Sequence, residues 1–336
     1  MAKMTDVAKL AGVSPSTVSR VLAGGDAVTA DKKQKVLMAV EKLNYRPNRL
    51  ARNLRKLETK TVVVVVPDIS NPFFYEIIRG MERVAQAKGY HVLLGDTQLN
   101  KQMEIEYIEL VRDKLADGVI LLVAQNPQEH IIEASKGLPI VVACAFIDGD
   151  DIPTVNIDHF NSAIDMVNHL VSLGHRRIAY ISGPLKNNRL SSFRFEGYCQ
   201  GLFQNQIEIE KQFIVEGNFT IECGYDKGRE LMELPTKPTA IFAANDEMAI
   251  GAIKAIKELG YKVPEDIAVV GFDDIKLSAY IEPPLTTVAQ PKQQIGAEAM
   301  EVLLRCINNE TLSSQEIILD SELIVRESCG SHLRHT

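Results

Sequence analysis

The chain lacks long apolar runs, and this absence sets the first limit on what it can be. None of its apolar runs approaches the ~20 residues that a membrane-spanning helix needs, and its N-terminus lacks the apolar core of a signal peptide. We therefore expect a cytoplasmic protein with no membrane segment. At 336 residues and 46% hydrophobic content, the chain can form one or two large cores besides a small domain.

Paired cysteines and short catalytic signatures are missing as well. Five cysteines are spread along the chain without a CxxC pair, which favours reduced thiols over disulfides or a metal site. The phosphate-binding patterns GxGxxG and GxxxxGKS/T, the GxSxG elbow and the HExxH pattern are absent. His159, His169 and His175 lie along one predicted helix and its end, where we expect surface or capping positions. We expect no metal, no cofactor and no enzyme activity.

Charge, in contrast, is abundant and unevenly distributed. Residues 1–60 carry 13 Lys and Arg against 5 Asp and Glu, a balance of +8, whereas the remainder carries 24 against 39, a balance of −15. A polyanion such as DNA would be attracted to the first segment and repelled by the second. An apolar pattern underlies the basic residues, which argues against a merely solvated terminus.

The basic segment has the pattern of two short helices joined by a turn. Val7, Leu10 and Ala11 recur at helical spacing, and Gly12 allows a tight turn. Ser14 before Pro15 has the order of an N-cap and first residue of a second helix. A third helix over residues 30–43 would support this pair through the core stripe Val36, Leu37, Val40 and Leu43.

The second predicted helix has the layout of a recognition helix. Val18, Val21 and Leu22 would face the core. The residues left on or near the outer face are Pro15, Ser16, Thr17, Ser19 and Arg20. Such residues contact base edges in the major groove, and Arg20 is suited to bidentate contact with guanine. A generic three-helix domain is the alternative.

Beyond residue 60, apolar strands alternate with helical stretches. Strands are predicted at 61–66, 91–94, 118–123, 140–143, 177–181, 239–243 and 268–271, and helices near 74–88, 103–115, 160–173, 195–204 and 247–259. This alternation indicates doubly wound parallel sheets with helices on both faces. Two lobes of this kind fit the length, and ligands are expected in the cleft beyond the carboxyl ends of the strands.

Polar and aromatic residues follow several of these strands and are candidates to line the cleft. They are Asn71, Phe73, Phe74, Asn245, Phe272 and Asp273, and Arg194 and Phe219 are further candidates. Asn, Asp and Arg can bind ligand hydroxyls, and the rings can stack on a planar or sugar ring. Alternative interpretations stay open: Asn245 and Asp246 as helix N-caps, Phe74 as a core residue, and Arg194 as a member of a surface ion pair.

Two stretches near the N-terminus resemble the lactose repressor (LacI/GalR) family of transcriptional regulators. Residues 6–20 have the pattern D-V-A-x-x-A-G-V-S-x-x-T-V-S-R, and residues 43–54 are L-N-Y-R-P-N-R-L-A-R-N-L. The similarity extends along essentially the whole chain. It implies an all-α helix-turn-helix head joined to an α/β body, whose two doubly wound parallel-sheet lobes have the type I periplasmic-binding-protein fold.

The resemblance also implies domain boundaries. Residues 1–47 would be the helix-turn-helix DNA-binding domain, 48–60 the hinge helix and linker, and 61–336 the effector-binding and dimerisation domain. Its lobes would be residues 61–158 with 291–319, and 159–290 with 320–330. The hinge of the family forms a helix on operator DNA, and paired hinge helices wedge a leucine into the minor groove. DNA contacts are accordingly expected from Thr5, Asn48, Arg49, Ala51 and Leu54.

In the body, the resemblance implies four effector-binding residues and one residue near the crossover between the lobes. The effector positions are Arg194, Phe219, Asn245 and Asp273, and Gln290 lies near the crossover between lobes. Arg189 belongs to a segment whose length varies in the family. Pro15 and Ser16 occupy the two positions that set DNA specificity. Pro15 has no backbone N–H and little reach, and Ser16 is ambiguous among bases, so no half-site is predicted.

Within this family, the body looks most like the cytidine and purine repressors, in residues 67–80 and 152–158. We expect a small-molecule effector, a nucleoside, purine or sugar, with a nucleoside preferred. A catabolite-control regulator that uses a phosphocarrier protein, and a sugar-responsive repressor, are the alternatives. The chain stops shortly after Ser328 without the leucine heptad of tetrameric members. We therefore expect a homodimer on pseudo-palindromic operator DNA, in contact through residues 74–87 and 102–115.

Overall fold

The computed structural model describes residues 2–22, 28–45, 58–149, 151–186 and 188–334. By its internal contacts the chain divides into two compact units, residues 1–59 and residues 60–336, called here the head and the body. Among the described helices, none is both long and apolar enough to cross a membrane.

The head contains three short helices, α1 (Met4–Ala11), α2 (Pro15–Leu22) and α3 (Ala30–Lys42). Gly12 ends α1 in the left-handed conformation, with φ of +64°, which residues with a Cβ rarely adopt. The Ser14 hydroxyl then accepts a hydrogen bond from the Thr17 backbone N–H at 3.2 Å and caps α2. The turn between the two helices is therefore built from the glycine and serine that the sequence indicated.

The buried core of the head is smaller than the predicted stripes. Val7, Val18 and Val36 are completely buried, but Leu10 is 46% exposed and Leu37 is 49% exposed. The prediction of a core position for Leu37 was wrong, and Leu10 lies outside the core although it shares the helical spacing of Val7 and Ala11. Alanine side chains at 8, 11 and 39 fill the contact between α1 and α3. Leu10 and Leu37 lie outside this cluster.

The body is built from strands and helices that alternate along the chain. The strands are β1 (Thr61–Val66), β2 (His91–Asp96), β3 (Gly118–Leu122), β4 (Ile140–Ala143), β5 (Thr154–Ile157), β6 (Ile178–Ser182), β7 (Ile214–Glu216), β8 (Ala240–Ala243), β9 (Ala268–Asp273), β10 (Thr286–Ala289), β11 (Glu316–Leu319) and β12 (Glu322–Ile324). The helices are α4 (Phe74–Ala87), α5 (Lys101–Arg112), α6 (Gln128–Ser135), α7 (His159–Ser172), α8 (Arg189–Gln204), α9 (Ile221–Glu233), α10 (Asp246–Glu258) and α11 (Lys292–Ile307).

The strands form two six-stranded sheets, each the centre of a lobe. Lobe 1 has the strand order β11-β5-β4-β3-β1-β2 and is entirely parallel. Lobe 2 has the order β12-β10-β9-β8-β6-β7, in which only β12 runs antiparallel to its neighbour. The helix-turn-helix head and the two doubly wound lobes confirm the predicted fold class.

The chain crosses between the lobes at three places. It passes from β5 to α7 at residue 158, from β10 to α11 at residues 290–291, and from β11 to β12 at residues 320–321. Helix α11 packs against α4 and the sheet of lobe 1, whereas α7 packs against α8 in lobe 2. Because each crossover is short, the residues beside it are in a position to respond to movement of one lobe against the other.

One helix of lobe 2 begins earlier than its apolar pattern indicated. The prediction placed its start at Phe195, but α8 begins at Arg189. Asn188 caps it by accepting a hydrogen bond from the Ser191 backbone N–H at 3.0 Å. Its first turn is polar, so hydrophobic periodicity did not detect it. This extra turn places residues 188–190 beside the cleft between the lobes.

Candidate effector cleft and DNA-binding surface

In the head, the outer face of α2 carries the predicted recognition residues. On α2, Pro15, Ser16 and Arg20 are exposed and Thr17 and Ser19 are half-buried, and the predicted contact Thr5, which lies on α1, is also exposed. The Ser16 hydroxyl lies 2.7 Å from the Ser14 hydroxyl. The predicted hinge contacts Asn48, Arg49, Ala51 and Leu54 lie outside the described residues.

In the body, a cavity of about 490 Å³ lies between the two lobes. Lobe 1 lines it with residues that follow β1, β2, β3 and β4, and lobe 2 with residues that follow β6, β7 and β8 and with the last residue of β9. Because the carboxyl ends of parallel strands meet at one edge of a sheet, these segments converge on the cleft. Seven predicted residues line it: Asn71, Phe73, Phe74, Arg194, Phe219, Asn245 and Asp273.

Arg194 is the central cation of this cavity, although its guanidinium group is almost completely buried. Its Nε donates to His159 Nδ1 at 3.2 Å, one Nη to the carbonyl oxygen of Ala244, and the other Nη to Asp273 Oδ1 at 3.3 Å. The guanidinium also stacks on the Phe272 ring, with 3.8 Å from its carbon to the ring centroid. Two of its five N–H groups are left for a ligand.

Asp273 ends β9 and faces Arg194. Its carboxylate also accepts a hydrogen bond from Gln290 Nε2 at 2.7 Å. Burial raises the pKa of Asp273, and the charge of Arg194 together with the Gln290 hydrogen bond opposes that rise. The ion pair is thus held in place by a residue of the second crossover.

Asn245 is both a helix N-cap and a residue of the cavity wall, the two interpretations that its sequence position left open. Its Oδ1 caps α10 by accepting a hydrogen bond from the Met248 backbone N–H at 3.0 Å. Its Nδ2 donates to the carbonyl oxygen of Phe219 at 2.9 Å. Phe219 itself has a φ of +70°, and its ring lies so close to Gly183 that a Cβ there would overlap it. Asn245 therefore positions an aromatic ring at the wall of the cavity.

Three of the predicted effector residues do not line this cavity. Phe272 is completely buried beneath Arg194, because it and Asp273 are neighbours in a strand and so point to opposite faces. Gln290 is buried behind Asp273. Arg189 lies in an adjoining depression, where it pairs with Asp148. Phe272 and Gln290 support the site from behind.

The expectation for His159 was wrong. It is 2% exposed, and its ring contacts Phe146 and Phe272 with centroid distances of 5.9 and 5.8 Å. Burial, and secondarily the charge of Arg194, hold the pKa of His159 well below its usual range, so the ring is neutral. Its Nδ1 accepts from Arg194, which places the proton on Nε2. His159 lies directly after the first crossover, a location that helical periodicity could not reveal.

Glu247 is a cavity residue that strand-end reasoning did not single out. It follows Asn245 and Asp246 in the first turn of α10 and lines the cavity together with Asp68 and Glu222. Burial, then repulsion from Asp273, Asp68 and Glu222, raises the pKa of Glu247 to about 7. Asp246, in contrast, points away into lobe 2 and accepts hydrogen bonds from Ile275, Ser278 and Thr287. The consecutive acidic residues Asp246 and Glu247 after β8 were the sequence feature from which a carboxylate in the cavity could have been predicted.

Comparisons with known proteins agree with both units. The model described as "Bacterial regulatory proteins, lacI family" matches residues 3–48, and the model described as "Periplasmic binding protein-like domain" matches residues 167–329. The chain is 42% identical over 328 residues to the HTH-type transcriptional repressor CytR of Escherichia coli (strain K12), covering 97% of this chain and 96% of that protein.

A second relative and a solved structure cover the chain to the same extent. Catabolite control protein A of Priestia megaterium is 38% identical over 324 residues, covering 96% of this chain and 98% of that protein. A crystal structure of the lac repressor dimer bound to operator and the anti-inducer ONPF has a TM-score of 0.87 at 28% identity, covering 98% of this chain and 99% of that one.

Proposed function

The chain belongs to the LacI family of bacterial regulatory proteins and is an effector-responsive, DNA-binding transcriptional regulator, not an enzyme; from this premise, we propose that its effector is a nucleoside bound between the lobes. The observation that carries the proposal is a cavity with aromatic rings on both lobes and the Arg194 and Asp273 pair at its end. The rings of Phe73, Phe74 and Phe219 suit a planar base. The polar groups suit ribose hydroxyls.

Operator binding is proposed for the exposed face of α2 and for the hinge. Thr5, Pro15, Ser16, Thr17, Ser19 and Arg20 would contact DNA from the head, and Asn48, Arg49, Ala51 and Leu54 from the hinge. The basic balance of the first 60 residues supports this assignment, because phosphate neutralisation supplies most of the affinity for DNA. Since DNA is its target, we place the protein in the cytoplasm.

A homodimer is proposed as the form that binds the operator. Strand β2 lies at the edge of its sheet, and its residues Leu93 and Leu94 are 53% and 40% exposed to solvent. Consecutive residues of a strand point to opposite faces, so both faces of the sheet carry an exposed leucine at this edge. Leu99 and Leu115, in the loops that flank α5, are more than 60% exposed. Such an apolar edge suits a second copy of the chain, since an isologous contact places the same residues opposite each other.

Effector and operator binding would be coupled through the three crossovers. A ligand that contacts both lobes favours the closed cleft, and closing alters the distance between the two hinge segments of a dimer. By linkage, the effector changes the operator affinity by the same factor as the operator changes the effector affinity.

Thermal unfolding of the full chain with a panel of ligands tests the proposed effector. Binding to the native state raises the melting temperature, by an amount that grows with ligand concentration. We expect cytidine or another nucleoside to raise it, and the variant Arg194→Met to lose this response. A shift with ribose or another sugar alone would indicate a sugar-responsive repressor. A shift only with a phosphocarrier protein would indicate catabolite control.

A further inference from the structure

The cavity between the lobes contains several carboxylates and very little positive charge. Asp68 comes from lobe 1, and Glu222, Glu247 and Asp273 come from lobe 2. Among the described residues that line the cavity, Arg194 is the one cation. Any ligand that enters therefore meets a surplus of negative charge.

The charge of Arg194 does not offset this surplus, because it is already paired. Its Nη2 lies 3.3 Å from Asp273 Oδ1, and the side chains of both residues are more than nine-tenths buried. A buried ion pair is close to neutral as a whole. Arg194 can still donate hydrogen bonds to a ligand oxygen, but its charge is compensated before a ligand arrives.

Glu222 and Glu247 have no such compensation. Within the described residues, neither carboxylate forms a hydrogen bond or an ion pair, and each faces the ligand space. Glu247 is half-buried, whereas Glu222 is exposed at the rim. Asp68 is satisfied locally, since its Oδ1 accepts hydrogen bonds from the Ser70 backbone N–H and hydroxyl. Two unpartnered acceptors thus remain for the ligand.

We propose that this cleft takes an effector without a phosphate group, one that donates hydrogen bonds to carboxylates, and that Glu247 is the residue that excludes the phosphorylated form. The inference rests on the proposed effector site and narrows its ligand class. A phosphomonoester carries close to two negative charges at neutral pH. Near Glu247 and Glu222 it would meet like charge and would leave its acceptor oxygens without donors. A nucleoside or free sugar offers hydroxyl and amino donors instead.

The proposal is tested by comparing the affinity of each candidate effector with that of its phosphorylated form. At pH 8, where Glu247 with its pKa of about 7 is mostly ionised, the full chain is titrated with cytidine and cytidine 5′-monophosphate, and with ribose and ribose 5-phosphate. In each pair that binds, we expect the neutral member to bind at least about tenfold tighter, because both charges of the phosphate are repelled by carboxylates a few Å away. Glu247→Gln should narrow that ratio, whereas Glu265→Gln, which removes an exposed acid outside the cavity, should not. Equal or tighter binding of a phosphorylated member would overturn the proposal.

A second measurement needs no effector, because Cys144 lines the same cavity. Methanethiosulfonates transfer a substituted thio group to the thiolate and release sulfinate, and they are made with cationic, anionic and neutral substituents. The rates at Cys144 are followed by peptide mass mapping and divided by the rates at the same cysteine in the urea-unfolded chain. Burial raises the pKa of the Cys144 thiol to about 12, which slows all three reagents equally.

The charge surplus predicts that the cationic reagent modifies Cys144 about tenfold faster than the anionic one after this correction. Glu247→Gln should reduce the ratio several-fold, and Glu265→Gln should leave it unchanged. A ratio of one or below would overturn the proposal, whether or not an effector has been found. If the ratio is high but no nucleoside binds, the nucleoside assignment fails while the exclusion of phosphate stands.

Discussion

The ammonium nitrogen of Lys292 lies 2.6 Å from the carbonyl oxygen of Asp273. It also lies 2.7 Å from the carbonyl oxygen of Asp274. Asp273 and Asp274 have φ values of +112° and +49°, a backbone that costs energy for residues with a Cβ. Lys292 is the first residue of α11 in lobe 1, whereas Asp273 is the last residue of β9 in lobe 2 and Asp274 follows it. A buried lysine thus holds a strained turn across a crossover.

Replacement of this lysine should destabilise the body strongly. In Lys292→Met, two buried carbonyl groups lose a charged donor, and we expect the free energy of unfolding to fall by about 3 kcal/mol. Urea unfolding followed by circular dichroism measures the change. Lys276→Met, an exposed lysine three residues after Asp273, is the control and should alter the midpoint little. Equal midpoints for the two variants would contradict the role given to Lys292.

Replacing each of two arginines of α8 should have very different effects on the affinity for the effector. Arg194 lines the cavity, and Arg189 pairs with Asp148 outside it. We expect Arg194→Met to weaken effector binding about 100-fold, because charged hydrogen bonds to the ligand are lost. Arg189→Met should change it less than about threefold, as expected for an exposed ion pair. Calorimetry on folded proteins measures both, and similar losses for the two would refute the assignment.

The stability of the body should depend on pH through Glu247. Its pKa is about 7 when folded and has a usual value of 4.5, so between these values the folded state binds more protons than the unfolded state. The contribution of Glu247 to stability is therefore fully present below about pH 4.5 and is lost as the pH rises through about 7.

Glu247→Gln imitates the protonated side chain and makes this dependence measurable. We expect wild type and variant to melt at similar temperatures at pH 5, and the variant to melt at the higher temperature at pH 8. Glu265→Gln should shift the melting temperature equally at both values. A variant that is less stable than wild type at pH 8 would show that the carboxylate of Glu247 has a partner.

On DNA, Arg20 should provide base discrimination rather than general affinity. Arg20→Lys keeps the charge but loses bidentate geometry, and it should cost about 1–3 kcal/mol on the operator while leaving binding to unrelated DNA unchanged. Fluorescence anisotropy at several salt concentrations measures both affinities. A loss of equal size on both DNAs would make Arg20 a phosphate contact.

The dimer should depend on the edge of lobe 1. Leu93→Glu introduces a charge into the exposed apolar edge of β2, and we expect sedimentation to show monomers at micromolar concentration. Phe203→Glu is the matched control, because Phe203 is 74% exposed but lies on α8 of lobe 2. A monomeric Phe203→Glu beside a dimeric Leu93→Glu would move the interface to the other lobe.

The limits of prediction from the sequence are visible in particular residues. Asn245 and Phe219 were predicted and line the cavity, because they follow strands whose ends meet at one edge of the sheet, and Arg194 was predicted and reaches the cavity from α8. Phe272 was assigned to the cavity because β9 was predicted to end at residue 271, and the two extra residues turn its ring inwards. Strand length decides which face a residue occupies, and apolar pattern defines length poorly.

Other differences depend on tertiary structure that no local pattern encodes. His159 and Lys292 become important because crossovers bring them beside Asp273 and Arg194, which are 79 residues apart in the chain. Leu10 and Leu37 have the helical spacing of core residues, yet the short helices bring alanines together and leave the leucines outside. Apolar periodicity located the helices, but it did not show which of their apolar residues are buried.

Because the chain crosses between the two sheets three times, the head and the lobes can complete their folding only in a certain order during translation. The head needs only residues up to 45 for its core, and it can fold while most of the body is still untranslated. The sheet of lobe 1 is completed by β11 and that of lobe 2 by β12, so neither is whole until residue 319 or 324 has left the ribosome. A nascent chain therefore holds a finished DNA-binding domain before it holds a finished sensor. Premature termination would release heads that no effector can control.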